Sequence, residues 1–201
     1  MQSARLHKVA AHRVASKLNC MLILASTSPR RHELLRAAGI DHVVRPAHVA
    51  ELRQNGEAPE DFVQRLAQEK ACALPLSPGD TILGADTIVC LEGAVLGKPV
   101  DTVDAVRMLR GLAGRDHRVL TGICLRRGER TLTDFAETRV WFDTLSESEI
   151  AEYVRSGEPM DKAGAYAIQG YASRFIMRID GCYQNVVGLP VSLVYRYLKT
   201  L

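Results

Sequence analysis

The stretch TILGADTIVCLEGAVL, residues 81–96, decides the fold. Its β-branched and apolar residues predict a strand over 81–91, and Glu92-Gly93 has the length and the glycine of a hairpin turn into a second strand at 94–96. Asp86 breaks the pattern. At least four apolar or small neighbours lie on either side of it, so its carboxylate is expected to be partly buried. A buried carboxylate must be paired, hydrogen-bonded or bound to metal. The plainer reading is an Asp at a bulge or strand end that accepts from nearby amides.

On the N-terminal side, residues 21–25 (MLILA) read as a buried strand. Ser28 and Pro29 then offer an N-cap and a first-turn proline for a helix through Leu34, Leu35 and Ala38 that stops at Gly39. A short strand follows at 42–45. After a polar connection, Pro59 opens a helix with Phe62, Val63, Leu66, Ala67, Ala71 and Leu74 at three-to-four spacing. On the C-terminal side, Asp101 caps a helix that Gly114 ends, and strands at 119–125 and 131–143 meet at the Arg127-Gly128 turn. Ser146 with Glu149 forms a capping-box pattern for the next helix. A loop of small residues, a strand at 175–179 and a helix from Pro190 complete the chain. Strands, helices and hairpins in this mixture indicate an α/β or α+β architecture, and the lack of a long linker indicates one folded unit over 21–201.

Charge limits the partners. The 201 residues hold 26 Lys and Arg against 23 Asp and Glu. Four of those bases and no acid lie in residues 1–20, which leaves 22 bases against 23 acids in the rest. A neutral body argues against a duplex-binding surface, because such affinity rests on many phosphate contacts. The five cysteines show neither a CxxC pair nor a Cys/His ligand spacing, which fits reduced thiols in a cytoplasm and no zinc site. No apolar run approaches the roughly 20 residues of a membrane helix. The tail 1–20 has the composition of an organelle transit peptide, but a non-native extension or an overcalled start is the favoured reading, and it should be dispensable for chemistry.

Candidate chemistry lies in four places. SPRRHELL puts Arg30 and Arg31 in a first helical turn, where the macrodipole disfavours cations by a few tenths to ~1 kcal/mol. A phosphate chain would offset this, meeting free backbone amides and two guanidiniums together; the alternative is a pair of solvated arginines. Lys70 falls on the inward stripe of its helix, four after Leu66 and seven after Val63. Either it meets a counter-anion there, or its stem packs while its head reaches water. Lys98 stands in GKP, a turn whose glycine lets the backbone approach a ligand. Glu51, taken alone, reads as a solvated loop acid. No P-loop, GxGxxG, HExxH or GxSxG motif is present.

LASTSPRRHELL, RLAQEKA, GADTIVCLEGAVLGKP, LTG and DKAGAYAIQG followed by NVVGLP, in this order, closely resemble the Maf family of nucleoside triphosphate pyrophosphatases over essentially residues 21–198. The resemblance implies an elongated α/β fold with a mixed sheet and two lobes around a central cleft, often a homodimer, hydrolysing a nucleoside triphosphate to the monophosphate and pyrophosphate. It also implies a divalent metal, Mg2+ or Mn2+. The family's phosphate-binding groups fall on Ser26, Arg30, Arg31, Lys70 and Lys98, its catalytic aspartate on Asp86, and its loop acid on Glu51, which with Asp86 would hold the metal. The preceding position, usually acidic in the family, is Ala50. Arg30, Thr87 and Gln169 match the branch acting on dTTP and UTP. The family's association with cell division and septum formation makes a nucleotide-binding regulator the alternative function. Nucleic acid and membrane are not expected partners.

Overall fold

The computed structural model describes residues 21–201, so the basic segment 1–20 lies outside the described residues. Strand β3 (Thr81–Leu91) runs through the middle of a seven-stranded sheet, at the bounds its sequence predicts. The other strands are β1 (Leu22–Ala25), β2 (Val43–Val44), β4 (Ala94–Leu96), β5 (Asp116–Arg127), β6 (Arg130–Phe142) and β7 (Ile176–Asp180). They lie in the order β2-β1-β3-β5-β6-β7, with β4 also against β3. β1 is parallel to both its neighbours, and every other pairing is antiparallel. The fold is therefore α/β with a mixed sheet.

One edge of β3 is shared unequally. β1 pairs with it only from Thr81 to Gly84, and β4 only from Val89 to Leu91. Residues 85–88 are left with no strand on that side, and into this gap come the turn after β1 and the loops that follow β4. A gap in a sheet edge exposes strand backbone and side chains that would otherwise be covered.

The two faces of the sheet are covered differently. Helix α2 (Pro59–Cys72) covers one face and packs on Ile82, Ile88, Cys90, Leu120 and Cys124 through its apolar stripe. Two glycines let it lie against the strands: a Cβ on Gly84 would come within 2.0 Å of the Ala67 carbonyl oxygen, and one on Gly122 within 2.2 Å of that of Val63. The other face carries two separate apolar clusters. Leu83, Ala85, Ile123 and Leu125 pack with helices α1 (Pro29–Ala37) and α6 (Val191–Leu198). Val89, Val119 and Val140 pack with α3 (Thr102–Leu112) and α4 (Glu147–Arg155). Between them sit Thr87 and Thr121, partners in register. These clusters are the cores of two lobes, and the polar interval between them is the cleft.

Local signals hold with three adjustments. Asp101 accepts from the Asp104 amide, and Ser146 with Glu149 closes both halves of a capping box. Ser28 occupies the N-cap position of α1 without a side-chain capping bond; its own amide donates instead to Ser26 Oγ at 3.2 Å. The strands expected at 119–125 and 131–143 pair from Asp116 opposite Trp141 to Arg127 opposite Arg130, because the ladder extends through polar residues that hydropathy alone does not mark. Helix α5 (Tyr183–Val187) and three short 3-10 turns between 158 and 175 have no periodic signal in the sequence. Cys72, Cys90, Cys124 and Cys182 are free thiols. Among the described residues no helix is long and apolar enough to cross a membrane.

Candidate active site

A cleft of about 240 Å³ opens at the gap beside β3 and brings together all nine residues singled out in the sequence: Ser26, Arg30, Arg31, Glu51, Lys70, Asp86, Thr87, Lys98 and Gln169. One lip is the turn from β1 into α1, with Ser26, Arg30 and Arg31. The other is the segment 161–169, and Lys98 stands beside it on the turn after β4.

Asp86 faces α2, in register with Gly122. Because the glycines seat the helix against the sheet, Lys70 reaches down to Asp86, and its ammonium donates to Asp86 Oδ1 at 2.6 Å. The same ammonium donates to Glu51 Oε1 at 2.6 Å. Lys70 is thus inward with counter-anions, and the solvated-head reading of the sequence does not apply; its side chain is 9% exposed. Asp86 is buried within the strand instead of ending it. Burial pushes its carboxyl above the ordinary value, against the opposing charges of Lys70 and Arg31. Burial acts the same way on Glu51, but there the Lys70 hydrogen bond and the charges of Lys70, Lys98 and Arg31 prevail and hold it low.

Arg31 is buried on the opposite face. Its Nε donates to the Gly188 carbonyl at 2.8 Å, Nη1 to Ser26 Oγ at 3.1 Å and to the Ala85 carbonyl at 2.9 Å, and Nη2 to Thr87 Oγ1 at 3.0 Å. The guanidinium fills the sheet gap, taking the Ala85 carbonyl that no neighbouring strand reaches. All four acceptors are neutral, so these bonds occupy four of its five N–H donors without cancelling its charge. Thr87 Oγ1 also bonds Thr121 Oγ1 at 2.9 Å, and Thr121 donates to the Asn185 carbonyl at 3.1 Å. Asn185 is fully buried and donates to the Val119 carbonyl and Thr138 Oγ1. Arg30, by contrast, points across the cleft, with Nη1 3.6 Å from Asp161. Lys98 and Gln169 are exposed at the rim.

The model for the family described as Maf-like protein matches residues 21–201. This chain belongs to that family. Two relatives are similar along nearly all of it: a dTTP/UTP pyrophosphatase of Koribacter versatilis, 51% identical over 89% of this chain and 93% of its own, and one of Symbiobacterium thermophilum, 53% identical over 85% and 88%. Among solved structures, the Staphylococcus aureus Ham1 protein superposes with a TM-score of 0.50 at 14% identity, over 90% of this chain and 98% of its own, a likeness of fold.

Arg65 was not singled out in the sequence. It clamps Glu57 through both carboxylate oxygens, at 2.6 and 2.9 Å, and donates to the Leu52 carbonyl at 2.9 Å, which ties the loop bearing Glu51 to α2. Its hydrogen bond brings Glu57 down to about 2. RLAQEKA carries the signal in retrospect, because Arg65 and Lys70 hold two ends of the same loop. No local signal in the sequence sets His117 or Tyr166 apart. They are buried with Nε2 and the hydroxyl 2.7 Å apart, and Tyr166 reaches the cleft wall.

Proposed function

We propose that the protein hydrolyses nucleoside triphosphates to the monophosphate and pyrophosphate, with dTTP, UTP and modified pyrimidine nucleotides as its substrate class, and that residues 21–201 act as one catalytic unit. The observation that carries this reading is the convergence on one cleft of a buried carboxylate, Asp86, with Arg30, Arg31, Lys70 and Lys98. The relatives named as dTTP/UTP pyrophosphatases support the substrate.

The cations meet the phosphate chain first, since a polyanion approaches phosphorus chemistry only when its charge is matched. Arg30 and Lys98 close on it from the two lips, and the Ser26 turn with its α1 amides takes further oxygens. Asp86 then orients a water in line with the α-phosphorus and accepts its proton, helped by the raised carboxyl pKa. The water oxygen bonds phosphorus, the α-to-β bridging bond breaks, and pyrophosphate leaves with the electron pair. Arg30, Thr87 and Gln169 select the base, Thr87 acting through the Arg31 guanidinium that it holds.

A divalent cation fits the donors present. Glu51 and Asp86 offer hard carboxylate oxygens, and the Lys70 ammonium already bridges them as a cation would. Glu51 and Asp86 would hold Mg2+ or Mn2+, with water and substrate phosphates as its further ligands. When bound, it would neutralise phosphate charge and acidify a bound water.

The test is pyrophosphate release from UTP and dTTP with magnesium, in the wild-type protein and in Asp86→Asn. Turnover in the wild type and a loss of at least ~100-fold in the variant, with nucleotide still bound, is the expected result. Unchanged turnover in Asp86→Asn would remove Asp86 from the mechanism. Binding without turnover in the wild type would point to a nucleotide-binding regulator.

A further inference from the structure

Two charged residues of the cleft have no part in the reading above. Lys162 and Asp161 lie on the second lip, in the segment DKAGAY, and both line the cavity. The Lys162 side chain is 14% exposed, with its ammonium 3.3 Å from the Glu158 carbonyl and paired with the Asp161 carboxylate. That carboxylate is 67% exposed and also stands 3.6 Å from Arg30 Nη1, on the first lip. One pair of anionic oxygens therefore lies between a lysine and an arginine drawn from opposite sides of the cleft.

The backbone beneath Lys162 is fixed. Gly164 takes φ 67° and Ala165 φ 60°, the left-handed region that a non-glycine residue such as Ala165 seldom occupies. A Cβ on Gly164 would come within 2.9 Å of the Val89 Cβ on β3, so the segment lies hard against the sheet. The Gly164 amide donates to the Gly97 carbonyl at 3.0 Å, beside Lys98, so the Lys162 segment and the Lys98 turn are joined. Burial acts to raise the Asp161 carboxyl, but the Lys162 hydrogen bond and the charges of Lys162 and Arg30 hold it low, so it is ionised at neutral pH.

We infer that Lys162 is a further ligand of the substrate phosphate chain, and that Asp161 is its stand-in anion, holding Lys162 and Arg30 until phosphate oxygens replace it. An exposed carboxylate in screened ion pairs is readily displaced. A phosphate chain brings more charge and more acceptors to the same two cations. The inference rests on the triphosphate reading of the cleft, but its phosphate part can be measured without turnover.

The experiment is calorimetric titration of the full-length protein with inorganic tripolyphosphate, alongside UTP kinetics with magnesium. Lys162→Ala is expected to weaken tripolyphosphate binding by about tenfold and to raise KM similarly, with kcat changed less. Lys162→Arg should recover most of that loss. Asp161→Asn removes the competing anion at an exposed position, so it should bind tripolyphosphate more tightly than wild type, by roughly twofold to fivefold. Wild-type binding in both Lys162→Ala and Asp161→Asn would overturn the inference, as would weakened binding in Asp161→Asn, which would make the pair a structural brace. If Lys162→Ala does not fold, the opposite-direction result in Asp161→Asn decides alone. A wild-type protein that binds tripolyphosphate through Lys162 yet cleaves no nucleotide would sink the hydrolase reading and leave this one standing.

Discussion

The two faces of β3 at the cleft handle a buried cation in opposite ways. On the α2 face, Lys70 is neutralised by the carboxylates of Glu51 and Asp86. On the other, Arg31 is held by two carbonyls and two hydroxyls and keeps its charge. An ionic cluster can exchange partners, because an arriving metal or phosphate can replace one ion by another. A guanidinium locked by neutral acceptors cannot, and it instead supplies a standing positive field for an anion to enter. The first arrangement suits chemistry and the second suits binding, and one strand carries both because its side chains alternate across the sheet.

The largest expected effect comes from breaking the first face outright. In Gly122→Ala the new Cβ would meet the Val63 carbonyl oxygen at 2.2 Å and its carbon at 2.4 Å. Helix backbone cannot step aside as a side chain can, so α2 should lift, with a loss above ~3 kcal/mol in urea denaturation and loss of activity with it. Wild-type stability would mean that α2 is not seated on the glycines.

The second face is tested next at its far end, where His117 lies on β5. Burial pushes its imidazole down to about 4 from 6.5, although Asp116 pulls the other way. The unfolded chain therefore takes up this proton first. The contribution is complete above pH 6.5 and is lost as pH falls toward 4, amounting to roughly 3 kcal/mol at ~1.36 kcal/mol per unit. Comparing wild type with His117→Gln at pH 7 and pH 4 separates this from carboxylate effects: the wild type should lose that much more. Parallel losses in the two proteins would show that His117 titrates normally.

Arg31→Lys sharpens the contrast directly, since it preserves the charge and removes the fork. The Gly188 and Ala85 carbonyls and Thr87 cannot all be served by one ammonium, so a loss of about 2 kcal/mol in stability is expected. KM for UTP should rise with it. If KM and stability are both unchanged, charge alone is what this position supplies.

The smallest effect is expected at Arg65→Ala, which frees the Glu51 loop while leaving every cleft residue in the sequence. The partly exposed clamp to Glu57 contributes no more than about 1 kcal/mol. Turnover should fall a few-fold as Glu51 loses its fixed approach to Lys70. Rescue by Arg65→Lys to the wild-type rate would show that charge at this site suffices without the two-pronged grip.

What could be read from the chain depended on how far apart the partners were. The hairpin at 81–96, the cap at Asp101, the capping box at Ser146 and the inward stripe of α2 follow from neighbours a few residues apart, and those elements were legible, although α2 ends at Cys72, short of the Leu74 that the stripe includes. Asp86 was legible as a misfit, a charge inside an apolar strand, and Lys70 as a cation on an apolar stripe. Neither fact said that they meet. Arg31 and Gly188 are 157 residues apart and Thr121 and Asn185 are 64 apart, and nothing local in either segment carries the other's address. The same holds for Arg65 with Leu52, for Lys162 beside the Lys98 turn, and for α5 and the 3-10 turns, whose backbones are fixed by contacts instead of periodicity.

The sequence by itself determined where the strands and the longer helices lie, which charges have no solvated place to go, and which family the chain resembles. Only the tertiary structure decided which charges cancel and which persist. Local patterning follows from backbone sterics and the burial of apolar side chains, which act over a few residues. Whether a buried ion is neutralised depends on what approaches it within a hydrogen bond's reach, and two glycines under α2 and a short β1 set those approaches here.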